Sequence, residues 1–240
     1  MPERLEPNSW PCDWSELGAS LEEALGDRLD YHRKELALAY DQTHPAHSLP
    51  IIPLAARRIL DIGCGMGQTL MALQLDPGVE AWGVDHDVDA VRAGREMVSS
   101  NVHLVVGAGE ILPFPDKSFD LVFSRVSLPY MELGACLSEV SRVLRPQGRF
   151  WGALHPPSVL LRRIGEDLAR GRGRDLMFCG FVGLNSVMLR LVRRQLRVRG
   201  HCETVQTKRG MAALLRQYRL EPLHFTSRPG QLIVEAQKQD

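Results

Sequence analysis

The 240-residue chain lacks several features that would assign it to a specialised class. Its 29 basic and 29 acidic residues cancel, so the chain as a whole has no net charge. No stretch approaches the roughly 18 uninterrupted apolar residues of a membrane span. The N-terminus, "MPERLEPNSW", lacks the charged and then apolar order of a leader. We therefore expect a cytoplasmic protein without a transmembrane segment.

Cysteine is scarce and scattered. The chain has 5 cysteines, none in a C-x-x-C pair and none grouped with histidine at zinc-ligand spacing. They are Cys12, Cys64, Cys136, Cys179 and Cys202. We expect reduced, mostly buried thiols and no metal site. Aromatic residues make up only 6% of the chain, but 44% of it is hydrophobic, which is enough for one sizeable core.

Apolar runs of strand length alternate with helical patterns from about residue 57 to residue 155. The strand-like runs are "RRILDIG", "EAWGVD", "VHLVVG", "FDLVFSRV" and "GRFWGALH". Near-continuous apolar strands separated by helices predict a parallel sheet buried on both faces. A helix capped by Thr207 and two β-like runs that meet at Pro229 and Gly230 then predict an antiparallel hairpin. The fold class is α/β: a doubly wound, Rossmann-like sheet of seven strands with helical additions.

Two segments lie outside the sheet pattern. Residues 1–56 are predicted to form an N-terminal helical lid on a domain that spans residues 57–240. Residues 156–206 contain two helical patterns and are predicted to form a helical substrate cap inserted in that domain. Such additions tend to cover the carboxyl ends of the strands, where ligands bind.

Residues 59–67, "ILDIGCGMG", place three glycines after an apolar run and an acid. Gly63, Gly65 and Gly67 permit a sharp turn and let a ligand approach the backbone, and the helix that follows offers unpaired amides. A dinucleotide-binding turn has the spacing G-x-G-x-x-G, and Gln68 stands where its third glycine would be. The sequence therefore disfavours a nicotinamide oxidoreductase.

Two acids indicate what the turn binds. Asp61, just before the turn, repels a pyrophosphate and suits a cationic group such as an amino-acid ammonium. Asp85 ends the second strand-like run, where its two oxygens could accept both hydroxyls of a ribose. Together these acids favour a nucleoside that carries an amino acid.

Four motifs in order carry a family resemblance. They are "ILDIGCGMG", "GVDHD", "VVGAGEILPFPDKSFDLVFSRVSLPYM" and "LSEVSRVLRPQGRFWGALHP", over about residues 57–155. With them the chain resembles class I S-adenosylmethionine-dependent methyltransferases, in the broad group that includes ubiquinone and menaquinone C-methyltransferases. The resemblance implies S-adenosylmethionine as cofactor and S-adenosylhomocysteine as product.

The resemblance also implies a set of cofactor-binding residues. They are Asp61, Gly63, Cys64, Gly65, Gly67, Asp85, His86, Gly109, Glu110, Ser124 and Arg125. The glycines would face the methionine part, Asp85 the ribose, His86 the adenine, and Ser124 with Arg125 the sulfonium. Ala108 stands where the family often has an acid for the adenine amino group. Glu110, or the backbone of Gly109 and Glu110, is expected to replace that contact.

Candidate catalytic residues are His155, Arg125 and Tyr130. His155 is either a general base or simply the end of a strand. Arg125 pairs either with a substrate anion or with an acid of the N-terminal helices. Tyr31, His32 and Tyr40 are further candidates, because they could line the pocket from the lid.

Charge is unevenly distributed, which leaves the acceptor open. Residues 1–42 hold ten acids and four bases, whereas residues 158–200 hold ten arginines and three acids. A stretch of arginine, leucine and valine can lie on anionic lipid, bind RNA phosphates, or pack against the acidic segment. Few aromatic residues interleave, so base stacking is poorly supported. We expect methyl transfer to a small organic or lipid-like acceptor. The alternatives are an RNA methyltransferase and a non-catalytic cofactor-binding module, and the oligomeric state stays open.

Overall fold

A computed structural model describes residues 25–125 and 127–240. Cys12 and the first part of the N-terminal lid lie outside these residues. The strands are β1 (Arg58–Ile62), β2 (Glu80–Asp85), β3 (Val102–Val106), β4 (Phe119–Ser124), β5 (Leu144–Leu154), β6 (Leu220–Arg228) and β7 (Gln231–Lys238). The helices are α1 (Arg28–Tyr40), α2 (Gln68–Ala72), α3 (Val88–Arg95), α4 (Leu133–Val143), α5 (Pro157–Ala169), α6 (Gly173–Val192) and α7 (Lys208–Gln217).

The described strands form one seven-stranded sheet in the order β3-β2-β1-β4-β5-β7-β6. Strands β1 to β5 pair in parallel, and β7 runs antiparallel to both β5 and β6. This confirms the predicted fold class and the C-terminal hairpin. The strand order reverses between β1 and β4, and such a reversal opens a crevice at the carboxyl ends of the strands.

The core lies on both faces of the sheet. Leu60 of β1 belongs to the cluster that buries α4 and α7, whereas its neighbour Ile59 belongs to the cluster that includes Leu70 and Val91 of α2 and α3. Successive side chains of a strand point to opposite faces, so these two clusters sandwich the sheet. The near-continuous apolar strands in the sequence therefore reflect burial on both sides.

Local capping and cysteine predictions agree with the structure. The Asp87 side chain accepts hydrogen bonds from two backbone amides at the start of α3, and the Thr207 hydroxyl accepts one at the start of α7. The described cysteines are free and buried: Cys64, Cys136, Cys179 and Cys202. Among the described residues, no group of three or more His, Cys, Asp or Glu side chains could hold a metal ion.

Several boundaries differ from the prediction. Helix α6 begins at Gly173, well before the helical pattern at residues 182–196, and ends at Val192. Apolar residues on both sides of this helix weaken the amphipathic period, so the sequence pattern does not mark its start. Strand β5 begins at Leu144, four residues before the strand-like run "GRFWGALH" that predicts it. The described part of the predicted lid is helical only in α1, because residues 41–56 form turns and irregular backbone.

Helix α6 also qualifies the expectation about membrane segments. Within the described part of the chain it is the single helix long and apolar enough to cross a membrane, with a mean hydropathy of 1.5 over 18 residues. It is not an uninterrupted apolar run, because Asp175, Asn185 and Arg190 lie within it. Length and composition alone do not place it across a membrane, since Val182 and Leu189 on one side are buried against the protein.

One carboxylate fixes the start of β1. Oδ2 of Asp120 accepts hydrogen bonds from the backbone amides of Arg57 and Arg58 at 2.8 and 2.9 Å, and Arg145 Nη1 donates to Oδ1 at 2.5 Å. Burial acts to raise the pKa of Asp120, but the two amides and the guanidinium outweigh it and hold that pKa below its ordinary value. The ionised carboxylate is therefore favoured by folding.

Replacing this carboxylate tests its contribution. We expect Asp120→Asn to lower the free energy of unfolding at pH 7 by about 1–2 kcal/mol, because hydrogen bonds to a charged acceptor are lost. A lowered pKa means that this stabilisation is present above the unfolded-state pKa and is lost as the pH falls through the folded-state pKa. Urea unfolding at pH 7 and near pH 3 measures it. The exposed Asp76→Asn serves as control, and a deficit of Asp120→Asn that persists undiminished at low pH contradicts this account.

Candidate functional site

A cavity of about 560 Å³ lies at the carboxyl ends of β1, β2 and β4. Side chains of α1 form one wall, and Arg197 and Gly200, which follow α6, contribute to the rim. Nine of the residues predicted from the sequence line it: Gly63, Cys64, Gly65, Asp85, His86, Gly109, Glu110, Arg125 and Tyr130. The fold therefore brings most of the candidate residues to one place.

Four predicted residues do not line the cavity. Asp61 and Ser124 are buried at the ends of β1 and β4, with 1% and 0% of their surface exposed. Gly67 caps the N-terminus of α2 in a left-handed conformation. His155 lies beside Tyr130, with the two rings perpendicular and their centres 5.5 Å apart.

The backbone of the glycine turn forms part of the cavity wall. Gly63 has a φ of +74°, and a Cβ placed on it would lie 1.9 Å from Oγ of Ser127. The Ser127 hydroxyl donates a hydrogen bond to the Gly63 carbonyl at 2.9 Å. No other residue fits at position 63, and Ser127, which the sequence did not single out, holds the turn in place.

Asp85 is fixed at the end of β2 by two backbone amides. Gly65 N donates to its Oδ2 at 2.8 Å, and Asp87 N donates to its Oδ1 at 2.9 Å. Each oxygen can accept more than one hydrogen bond. The carboxylate thus presents two oriented acceptors to the cavity. The neighbouring His86 imidazole is 87% exposed at the rim.

Asp61 is an orphaned acid. Within the described residues neither of its oxygens has a hydrogen-bond partner, and the Ser124 hydroxyl has none either. Burial raises the pKa of Asp61 to about 8, against the opposing charge of Arg125. A buried polar group without a partner calls for an explanation, and a cationic ligand group in the adjoining cavity would supply one.

Arg125 ties α1 to the end of β4. This side chain is only 5% exposed, and its Nη2 donates to Glu35 Oε2 at 2.6 Å and to the Glu35 carbonyl at 3.1 Å. Its Nε donates to Thr69 Oγ1 at 3.1 Å. Of the two roles that the sequence left open for Arg125, the structure contains the pairing with an acid of the N-terminal helices.

A second contact ties α1 to the glycine turn. Gln68 Nε2 lies 2.7 Å from His32 Nδ1, and Gln68 Oε1 accepts from the Met66 amide at 3.1 Å. Burial lowers the pKa of His32, so the neutral ring that accepts from Gln68 is favoured. Gln68, which stands where a dinucleotide-binding turn has its third glycine, therefore joins the glycine turn to α1. Arg28 adds ion pairs to Asp87 and, at 2.9 Å, to Asp89.

The aromatic residues of α1 divide between the cavity and the protein interior. Tyr31 and His32 line the cavity. Tyr40 does not, because its hydroxyl donates to the Met71 carbonyl at 3.1 Å. Burial raises the pKa of Tyr31 to about 12, so its phenol stays neutral.

A buried acid lies behind Tyr130. Glu203 is 4% exposed, accepts from Arg163 Nη1 at 2.6 Å, and lies 3.4 Å from Nδ1 of His155. Burial acts to raise the pKa of Glu203, but His155 and Arg163 outweigh it and lower that pKa. Arg163 also contacts the Tyr130 hydroxyl. The sequence did not single out Glu203 or Arg163, since neither belongs to a recognisable motif.

Glu110 connects the cavity to the segment after α6. Its Oε1 accepts from the Glu132 amide at 3.1 Å and from Arg197 Nη2 at 2.8 Å. Gly109 beside it packs closely, since a Cβ there would lie 2.8 Å from the Met131 sulfur. One oxygen of Glu110 is thus engaged by the protein itself.

The pairing of Arg125 can be tested through α1. We expect Glu35→Ala to destabilise the docking of this helix by about 3 kcal/mol, because it leaves a buried guanidinium without its carboxylate. Hydrogen exchange measures the effect as faster exchange of the α1 amides than of β1 and β4. Lys34→Ala removes an exposed neighbour on the same helix and should change nothing. Equal exchange of α1 in the two variants would show that the pair does not hold the helix.

Comparison with known proteins supports the resemblance. Residues 60–152 match the family described as methyltransferase domain. An uncharacterised methyltransferase of Mycobacterium tuberculosis is 30% identical over 139 residues, which cover 55% of this chain and 56% of the relative. A sterol 24-C-methyltransferase of Gibberella zeae is 30% identical over 198 residues, which cover 76% of this chain and 50% of the relative. The chain thus spans about half the length of these curated relatives.

A solved structure shares the fold. It is the 1,6-didemethyltoxoflavin-N1-methyltransferase of Burkholderia thailandensis, with bound 1,6-didemethyltoxoflavin and S-adenosylhomocysteine. The TM-score is 0.52 at 19% identity, and the match covers 94% of this chain and 87% of that one.

Proposed function

Residues 60–152 of this chain belong to the methyltransferase domain family, and on that premise we propose that the protein transfers a methyl group from S-adenosylmethionine to a small organic or lipid-like acceptor. The donor would bind in the cavity at the ends of β1, β2 and β4. The first 56 residues and residues 156–206 would form the acceptor side, as lid and cap.

The orphaned carboxyl group of Asp61 carries this proposal. It is buried just before the glycine turn, and it has no partner among the described residues. The ammonium of an amino acid would satisfy it. Asp85, with two oriented oxygens, would accept the hydroxyls of a ribose. An amino acid and a ribose on one ligand match S-adenosylmethionine.

The chain's own residues would orient and enclose the reactants. S-adenosylmethionine supplies a methyl group on a sulfonium, which a nucleophile displaces directly. The protein must therefore align the acceptor and exclude water. Tyr31 and His32 would enclose the cavity from α1. We assign Arg125 a positioning role, because Glu35 and Thr69 already engage its guanidinium.

His155 and Tyr130 would act on the acceptor. Nδ1 of His155 lies 3.4 Å from Glu203, and a proton on Nδ1 would leave Nε2 as the proton acceptor if the nucleophile arrives protonated. Burial raises the pKa of Tyr130, so its phenol stays neutral as a hydrogen-bond donor. In this arrangement Glu203 and Arg163 are positioning residues.

Relatives favour a small or lipid-like acceptor over RNA. The Gibberella relative is named for a sterol and the Burkholderia structure holds a small heterocycle. RNA remains the second candidate on account of the arginines in residues 158–200.

To separate the two kinds of acceptor, methyl-labelled S-adenosylmethionine is incubated with the protein and an extract of the producing cells. Label in the organic phase supports the proposal, and ribonuclease-sensitive label supports RNA. No label, with cofactor binding intact, supports a non-catalytic module.

Loss of the ribose acceptor should weaken binding. We expect Asp85→Asn to raise the Kd for S-adenosylhomocysteine by about tenfold or more, because a charged acceptor of two hydrogen bonds is lost. Isothermal titration calorimetry measures the Kd. Asp76→Asn, an exposed acid remote from the cavity, is the control. An unchanged Kd for Asp85→Asn would refute the ribose assignment.

Asp61 should make binding pH-dependent. Its carboxyl group is mostly protonated at pH 7, because its pKa is about 8, and the ligand ammonium stabilises the ionised form. Binding should therefore release close to one proton, and affinity should rise by up to about tenfold from pH 6 to pH 7. Titrations in two buffers of different ionisation enthalpy measure the proton release. Asp61→Asn should bind more weakly and release none. Equal release by both proteins would dismiss Asp61 as the ammonium site.

A further inference from the structure

Helices α5 and α6 of the cap carry exposed apolar side chains that line up along each helix. We call this surface the outer face. It comprises Leu161, Leu168, Met177, Leu184, Val187 and Leu191, of which between 52% and 78% is exposed. The spacings of seven, three and four residues place each helix's members on one side. Across α6, only 22% of its apolar window is buried.

The outer face lies opposite the side of α6 that packs on the protein. Cys179, Val182, Asn185 and Leu189 are the buried residues of this helix. At about 100° per residue, Leu184 and Leu191 point away from Val182 and Leu189. A helix that is apolar all round is ordinarily buried all round. Here one half of the helix surface has no partner within the described residues.

Exposed arginines surround this apolar surface. Seven of them form no ion pair within residues 25–125 and 127–240: Arg162, Arg170, Arg174, Arg190, Arg193, Arg194 and Arg199. The acids nearby are Glu166, Asp167 and Asp175, and they leave residues 158–200 with a net charge of plus seven from ten arginines and three acids. The surface is therefore apolar at its centre and cationic at its border.

We propose that the outer face docks on the surface of a lipid bilayer that contains anionic lipids. Its leucines and Met177 would enter the boundary of the acyl chains, while the arginines reach the phosphates along their apolar stems. Helix α6 lies along the bilayer rather than across it, because its other side is packed on the protein. RNA phosphates would pair with the arginines but would leave the apolar centre in water.

Docking in this orientation would bring the bilayer towards the cavity. Helix α6 ends at Val192, and Arg197 and Gly200 in the segment after it contribute to the cavity rim. An acceptor dissolved in the lipid could then enter without crossing water. This consequence rests on the proposed function, whereas the docking itself requires no catalysis.

Sedimentation with vesicles tests the docking. We expect the protein to bind vesicles of phosphatidylcholine with phosphatidylglycerol at least about tenfold more tightly than vesicles of phosphatidylcholine alone, and to lose this binding at high salt. Two double variants should each weaken binding by about tenfold or more. They are Leu184→Gln with Leu191→Gln and Arg174→Gln with Arg194→Gln.

Matched control variants carry the same types of substitution at exposed residues outside the outer face. Ile51→Gln with Leu54→Gln removes two apolar side chains that are 83% and 99% exposed, and Arg92→Gln with Arg209→Gln removes two exposed arginines elsewhere. Both controls should bind vesicles like the unchanged protein. Binding of S-adenosylhomocysteine is measured for every variant as well. A variant that keeps this binding and loses vesicle binding has an intact cavity and a defect in docking alone. A failure of the unchanged protein to bind S-adenosylhomocysteine counts against the proposed function and not against the docking.

Three results would overturn the proposal. One is a protein that stays in the supernatant with both kinds of vesicle. Another is an equal loss of binding in the control and outer-face variants. The third is a stable dimer in sedimentation velocity that the leucine variant dissociates, because the outer face would then belong to a second copy of the chain.

Discussion

The buried pairing of Arg125 with Glu35 is the contact on which the geometry of the candidate site depends. A guanidinium at the end of β4 that is only 5% exposed needs a carboxylate, and α1 supplies it. Once Glu35 is fixed, helical spacing brings Tyr31 and His32 to the same wall of the cavity. His32 then meets Gln68 at the glycine turn. This ion pair, the His32 contact and the Arg28 ion pairs together hold a helix far away in sequence over the ends of the strands.

The parts of the site predictable from the sequence are those that lie within single strands and turns. The run "EAWGVD" has the same bounds as β2, and its last residue, Asp85, faces the cavity because parallel strands end at one edge of the sheet. Gly63 is likewise readable, since a left-handed turn against Ser127 admits no side chain. The place of Asp61 just before the glycine turn is predictable from the sequence. Its lack of a hydrogen-bond partner among the described residues becomes clear only from the packing of β1.

The contacts that the sequence did not reveal join residues far apart in the chain. Arg125 and Glu35 are 90 residues apart, Gln68 and His32 are 36 apart, and Arg163 and Glu203 are 40 apart. No local period or motif marks such pairs. The start of α6 was not predicted for a different reason. Apolar residues on two opposite sides of the helix weaken the amphipathic period by which a helix is predicted.

Although the chain is neutral overall, residues 158–200 are basic, and their arginines differ in their partners between the side that faces the protein and the outer face. Arg163 pairs with the buried Glu203 behind Tyr130, and Arg197 pairs with Glu110 at the cavity rim. Within residues 25–125 and 127–240, the seven arginines around the outer face have no such acids. The inward pair of Arg197 holds residues 156–206 against the sheet domain, and the outward charges stay available to an anionic surface. The same residue type therefore serves stability on one side of α5 and α6, and attraction on the other.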